Sequence, residues 1–437
     1  MQGTEAGADH QLTNPHPVGS TDWVQDQLAL IARAFSPSAP VTERSLFSGR
    51  QDQLWRLVDV TQQRGQHAIV YGDRGVGKTS LARVAPQIGQ QAALHAYYTC
   101  SSDDTFSSIW WEVLEEIVLQ EQLAPVGFAD DGGSRPISAT QLLGAQSPDQ
   151  TALSPSNVRR ALTALGRQIH VVVTIDEFDR VSDSATRTLL ADTIKALSDA
   201  SANVTIVLVG VGKTVEELLA EHASVVRSLV QVHMPPMTEQ ELKGIVDSGM
   251  KAAGMAVEEE FTRPLVRLSL GLPHYTHLVA QHGARLAAES GRLQVFADDF
   301  SEALDRAMHD VSRSVLEAYH RATGSNRETL YRPVLLACAL APKDGLGQFG
   351  TPEVRDQLKN LIGETKEVSA FAAHLNDFSG QDRRGQILRK IGEKGRRQRY
   401  QFVDPMMPSY VLMRGFRDGD ITFQQLMSAT VGVGRHS

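Results

Sequence analysis

One run of eight residues leaves this chain few folds to choose from: Gly72-Asp73-Arg74-Gly75-Val76-Gly77-Lys78-Thr79, set between the apolar stretch His67 to Tyr71 and a helical pattern that opens at Ser80. The spacing G-x-x-x-x-G-K-[ST] between a strand and a helix suits a loop that wraps phosphate. Its glycines permit a tight turn whose N–H groups converge on anionic oxygens, and the following helix turns its positive end to the same anion. Lys78 adds a cation for β- and γ-phosphates, Thr79 offers a hydroxyl to Mg2+, and Ser80 follows in the same helical turn. ATP and Mg2+ are therefore the expected ligands. The string Gly210-Val211-Gly212-Lys213-Thr214 imitates the end of such a loop, but the position five residues before Gly212 is Val207, inside an apolar run. It is expected to be a strand-to-helix turn.

The stretch from His170 to Glu177 is an apolar strand ending in two carboxylates. In a parallel sheet this end lies at the same edge as the phosphate loop, so Asp176 can reach the magnesium shell and Glu177 can polarise the attacking water. Asp179 and Arg180 are expected to form a local ion pair. Arg227, just before the last apolar run of this region, is the candidate to enter a neighbouring protomer's site and stabilise the transition state.

At 437 residues the chain should hold several folding units. Between His67 and Glu239, short β-branched runs alternate with helical patterns, the signature of a parallel sheet with crossover helices. Strands are predicted at His67 to Tyr71, Leu94 to Thr99, Ile169 to Ile175, Val204 to Val209 and Leu229 to Met234. Residues 1–43 read as a lead-in plus one amphipathic helix, 44–236 as the α/β core, and 127–154 within it as an inserted surface loop. Helices then dominate 237–324, including one predicted from Ala297 to His320. Residues 325–415 read as three helices and a β-hairpin, a winged-helix arrangement, and 416–437 as a tail.

Two cysteines, Cys100 and Cys338, fall in different predicted units and frame neither a disulfide scaffold nor a metal site. The start lacks a basic segment followed by an apolar one, and no apolar run approaches the roughly 20 residues that span a bilayer, so a cytoplasmic setting is expected. The net charge of −8 excludes a chain that coats nucleic acid over its whole surface, so any such contact must be local.

With the loop at 72–79 and the strand ending in Asp176-Glu177, the chain resembles an AAA+ ATPase of the origin-recognition, initiator-like clade, whose members carry a helical lid and a C-terminal winged helix. It is also similar to STAND-type ATPases. The resemblance implies that Phe47-Ser48-Gly49-Arg50 packs near the adenine, with Arg50 toward the base. It implies too that Gly271-Leu272-Pro273-His274 is the turn of the lid that faces the phosphates, with Pro273 and His274 at the nucleotide. A polar residue is expected after the strand Val204 to Val209, where the sequence has Gly210-Val211-Gly212 instead.

Between Arg383 and Arg399 the basic residues Arg383, Arg384, Arg389, Lys390, Lys394, Arg396, Arg397 and Arg399 face one acid, Glu393, a local charge of +7. Such a wing suits the backbone of duplex DNA, without sequence readout. The leading expectation is thus an oligomeric ATPase that couples nucleotide state to assembly and to duplex DNA. The other is a STAND-like switch that recruits a protein effector without DNA, antiphage defence being one setting.

Overall fold

The computed structural model describes residues 16–37, 40, 47–88, 93–122, 134–142, 153–212, 214–215, 225, 229–324, 330–381, 384–392 and 398–428. Strands β1 (His67–Gly72), β2 (Ala93–Thr99), β3 (Val118–Gln122), β4 (Ser134–Ser138), β5 (His170–Asp176), β6 (Val204–Val211) and β7 (Leu229–Met234) come first. Five of them form one sheet in the order β2-β5-β6-β1-β7, every pair parallel. These are the five strands expected from the sequence, each matching to within two residues. Strand β5 is buried at every position, as a parallel strand covered on both faces must be. Val70, Val209 and Val232 face the helix Lys78–Ile88, while Ile69, Ile206 and Leu208 face the helices Pro155–Gly166 and Ser184–Asp199.

The carboxyl ends of β1, β5 and β6 emerge at one edge of this sheet, and there the chain turns into the loop at 72–77. The stretch 127–154, expected as plain loop, contains β4, which pairs antiparallel with β3, and the short helix Ala139–Leu142. The helix Phe106–Glu116 stops there because Ile117 takes an extended conformation and Val118 enters β3.

Helices Glu239–Ala252, Glu259–Ser269 and Pro273–Glu289 build the lid, with β8 (Ala256–Val257) and β9 (Gln294–Val295) as a small parallel pair. Thr238 and Glu241 cap the first helix reciprocally. The single helix predicted from Ala297 to His320 is two, Asp299–His309 and Arg313–Thr323. The break is at Ser312, extended at φ −54°, ψ 137°, and beside it Asp310 is drawn off by His282, 2.9 Å from its carboxylate.

Beyond lies a winged helix: Tyr331–Leu340, β10 (Phe349–Gly350), Thr351–Ile362, Val368–Ser379, β11 (Leu388–Ile391) and β12 (Arg399–Phe402), with the strands ordered β10-β12-β11. The two-residue β10 is too short to leave a periodicity. A further helix, Met407–Arg417, packs back on the lid through Phe300 against Phe416 (5.8 Å between ring centres) and Tyr319 against Tyr410 (5.3 Å). One apolar core therefore runs from the face of the sheet under the phosphate loop, through the lid, to Cys338 and Leu412 in the winged-helix region.

Candidate active site

Four parts of the chain line a cavity of about 1030 Å³ at the sheet edge: the loop with Asp176 and Glu177, the lid with His274 and Tyr275, the segment Asp404 to Met406, and the N-terminal residues Pro37, Phe47, Ser48 and Arg50. Gly77 has φ +93°, and a Cβ there would find nothing nearer than Pro273 Cγ at 3.9 Å, which leaves room for an anion against the backbone. The loop opens the eleven-residue helix Lys78–Ile88, so its dipole end points at the same space. Lys78, only 8% exposed, curls onto the loop and donates from Nζ to the carbonyls of Gly72 (3.1 Å) and Asp73 (2.8 Å). Burial pulls its pKa down to about 8, against the opposing pull of Asp179, Asp176 and Asp73. An ammonium hydrogen-bonded to two loop carbonyls at the start of this helix is poised for phosphate oxygens.

Asp176 is 4% exposed, and its Oδ1 accepts the N–H of Glu177 at 2.8 Å. Its Oδ2 accepts the hydroxyl of Tyr97, which the sequence reading did not single out. Glu177 adopts the left-handed conformation (φ 53°) at the start of the turn Phe178–Arg180, and its Oε2 meets Nη1 of Arg180 at 2.7 Å. The expected partnership of Asp179 with Arg180 is thereby corrected. The left-handed turn swings Glu177 over Arg180 three residues on, while Asp179 Oδ1 accepts the N–H of Val211 at 2.8 Å. Asp179 thus brings a carboxylate to the end of β6, where the sequence lacks a polar side chain. Gly210 and Val211 lie within β6, so the second glycine-lysine string begins in strand, two residues past the predicted strand end, and its Lys213 lies outside the described residues.

His274 lines the cavity, but its Nδ1 donates to the carbonyl of Pro37 at 2.7 Å, and burial holds its pKa below the ordinary histidine value. Arg74, exposed on the loop, is a cation at the same cavity. Arg50, 2% exposed and also left-handed, donates from Nη2 to the Pro235 carbonyl and, at 3.5 Å, to the Val76 carbonyl of the phosphate loop, while its N–H donates to Glu241 Oε1 at 2.9 Å. Its guanidinium is thus committed to backbone carbonyls, and Phe47, Ser48 and Met237 line the cavity with it. Arg227 lies outside the described residues.

The segment after β12 is the least expected wall. A Cβ on Gly75 (φ +82°) would lie 2.8 Å from Met406 Sδ, so the winged-helix region touches the phosphate loop directly. The hydroxyl of Tyr275, in the lid, donates to the Met406 carbonyl at 3.1 Å and completes a three-way junction.

The predicted basic wing is only partly placed together. Arg384 donates to the carbonyls of Ala322 and Gly324 and lies 3.8 Å over the ring of Tyr331. Arg399 pairs with Asp344 at 2.8 Å and donates to the Gln348 carbonyl. Arg389 and Lys390 are exposed on β11, Lys390 reaching Asn376 at 2.6 Å. Arg383, Lys394, Arg396 and Arg397 lie outside the described residues.

A buried lysine on a glycine loop, beside an acidic strand end at the edge of a parallel sheet, defines a P-loop nucleotide-binding ATPase. Residues 46–207, which hold this loop and β5, match the AAA ATPase domain, and the chain is an ATPase. No curated protein sequence matches it. Its fold is that of the Walker-type ATPase PABY2304 of Pyrococcus abyssi, at 17% identity and a TM-score of 0.50 over 86% of this chain and 99% of that one. Two Aeropyrum pernix proteins are also similar in structure. ORC2, with ADPNP and ADP, gives a TM-score of 0.47 at 12% identity over 89% of this chain and 97% of that one. ORC1 in complex with DNA gives 0.45 at 14% identity over 90% and 98%. Among the described residues no helix is long and apolar enough to cross a membrane.

Proposed function

We propose that this ATPase is a nucleotide-controlled switch in which the occupant of the P-loop sets the position of the winged helix. The observation that carries the reading is Met406 against Gly75, with Tyr275 of the lid hydrogen-bonded to the same residue. A phosphate seated on the loop N–H groups would lie beside that contact, so ATP and ADP would press differently on it. In the reaction, the loop from Gly72 to Gly77 and Lys78 would bind the phosphates, Thr79 and Asp176 would hold Mg2+, and Glu177 would orient the attacking water. Bound Mg2+ would neutralise charge building on the phosphates. Arg50 secures the base end of the cleft through its backbone contacts, and Arg227 is the proposed trans-acting arginine of an oligomer. Effector recruitment by the displaced winged helix is the output of this reading.

The direct test is fluorescence energy transfer between dyes on the lid and on the winged helix, in full-length protein with ADP or a non-hydrolysable ATP analogue. A distance change between the two nucleotides, lost in Lys78→Ala, is expected. Identical distances would overturn the switch.

The second reading is duplex DNA held along the wing, and exposed Arg389 and Lys390 favour it. Against it stand the commitments of Arg384 and Arg399 and the acids Glu364 and Glu367 at the start of the third helix. Its test is ATP turnover with and without duplex DNA at low and moderate salt, with Glu177→Gln as the blank. Stimulation that fades with salt and disappears in Arg389→Glu/Lys390→Glu would support DNA binding, and indifference to DNA would remove it.

A further inference from the structure

Asp176 is a nearly buried carboxylate, and such a group keeps one orientation only if its oxygens are held. The N–H of Glu177 holds Oδ1. The other oxygen is held from a different strand. Tyr97 lies on β2, paired with Thr174 of β5, and Thr99 pairs with Asp176, so Tyr97 and Asp176 share one face of the sheet on a diagonal. Side chains alternate along β2: Tyr98 points to the opposite face, where its hydroxyl meets Asp104 at 2.8 Å. The hydroxyl of Tyr97 instead reaches Oδ2 of Asp176.

Tyr97 is itself fixed from the phosphate-loop helix. The guanidinium of Arg83, one and a half turns along from Lys78, lies 4.0 Å over its ring. The phenol is the hydrogen donor in this bond, the carboxylate oxygen the acceptor. A chain of contacts therefore runs from the helix that carries Lys78 and Thr79, through Arg83 and Tyr97, to the acid at the end of β5. Each carboxylate oxygen retains a further acceptor position after these two bonds.

We infer that Tyr97, clamped by Arg83, is a positioning residue that aims the Asp176 carboxylate at the magnesium bound with the nucleotide. The inference rests on the assignment of Asp176 to the magnesium shell. Partners of this kind, one bond removed from the ion, set ligand direction, and losing one weakens metal affinity by roughly ten- to a hundredfold. Binding of the nucleotide's base and phosphates without metal does not involve them.

The test measures binding of a fluorescent N-methylanthraniloyl ADP to the full-length chain, in EDTA and across a Mg2+ titration. Tyr97→Phe is expected to keep the metal-free affinity and to raise the Mg2+ concentration for half effect by roughly tenfold. Arg83→Gln should shift it in the same direction by less, and it carries the test if Tyr97→Phe does not fold. Asp176→Asn should abolish the Mg2+ effect, and adding Tyr97→Phe to it should change nothing more. A Mg2+ response equal to wild type in folded Tyr97→Phe, with Asp176→Asn defective, overturns the role of Tyr97 alone. A normal Mg2+ response in Asp176→Asn overturns the assignment of Asp176 itself. Equal weakening with and without Mg2+ in Tyr97→Phe would mark a merely structural side chain and also overturn the inference.

Discussion

Nη1 of Arg180 stands 2.7 Å from Oε2 of Glu177, so the carboxylate proposed to orient water is paired with a cation of its own loop. Both side chains are about half exposed, and an exposed pair of this kind is weak and easily displaced. Arg180→Ala is expected to raise ATP turnover by roughly two- to fivefold, the factor such a pair can supply, with nucleotide affinity unchanged. Steady-state turnover beside a binding titration checks this. A fall in turnover would mean that Arg180 assists the reaction instead of restraining Glu177.

Lys78 has its pKa drawn down to about 8 by burial, and a phosphate would need it protonated. Nucleotide binding must then take up a proton as pH rises past 8, and affinity weakens by up to about tenfold per pH unit beyond that point. Calorimetry with ADP at pH 7 and pH 9, in buffers of different ionisation enthalpy, measures both effects. No proton uptake at pH 9 would contradict the position of Lys78.

Met406 meets the loop at Gly75, and shortening it removes that contact while keeping the backbone carbonyl that accepts the Tyr275 hydroxyl. Met406→Ala should speed the release of fluorescent ADP several-fold in stopped-flow chase experiments, while Arg389→Ala, remote on β11, should leave it alone. Equal release from Met406→Ala and wild type would disconnect the winged helix from the cleft.

Burial lowers His67 and His277 to about 4 from an ordinary 6.5. Each is neutral in the folded chain and protonates first when unfolded, so the stability they share is whole above pH 6.5 and is lost as pH falls toward 4. The loss is on the order of 3 kcal/mol per histidine. Thermal melts should show a falling Tm between pH 7 and pH 5, with a shallower fall in His277→Asn. A flat Tm over that interval would refute the burial argument.

Much of this molecule was legible because the signals were local. The strands carried β-branched runs, and the loop at 72–79 carried a spacing that chemistry restricts. The winged-helix order followed from helix periods and one basic turn. What escaped depended on contacts between distant segments. Tyr97 reaches Asp176 across two strands, and Met406 reaches Gly75 across more than three hundred positions of sequence. A count of charge could not foresee that Arg384 stacks on Tyr331, or that Arg399 answers Asp344. The Tyr97 contact had one faint signal: a hydroxyl on a neighbouring strand, at the same edge as the acid. The break at Ser312 had none, since both flanking helices keep the same apolar period.

The junction of Gly75, Met406 and Tyr275 also bears on time. A cleft walled partly by another folding unit can exchange its contents only as often as that unit steps aside, whatever the equilibrium affinity. Under the proposed switch, dwell time and affinity become separate properties, and the packing of Phe416 and Tyr410 on the lid would govern the first of them. A substitution far from any phosphate could make this protein remember its last nucleotide for longer, or forget it sooner, while a binding isotherm looked the same.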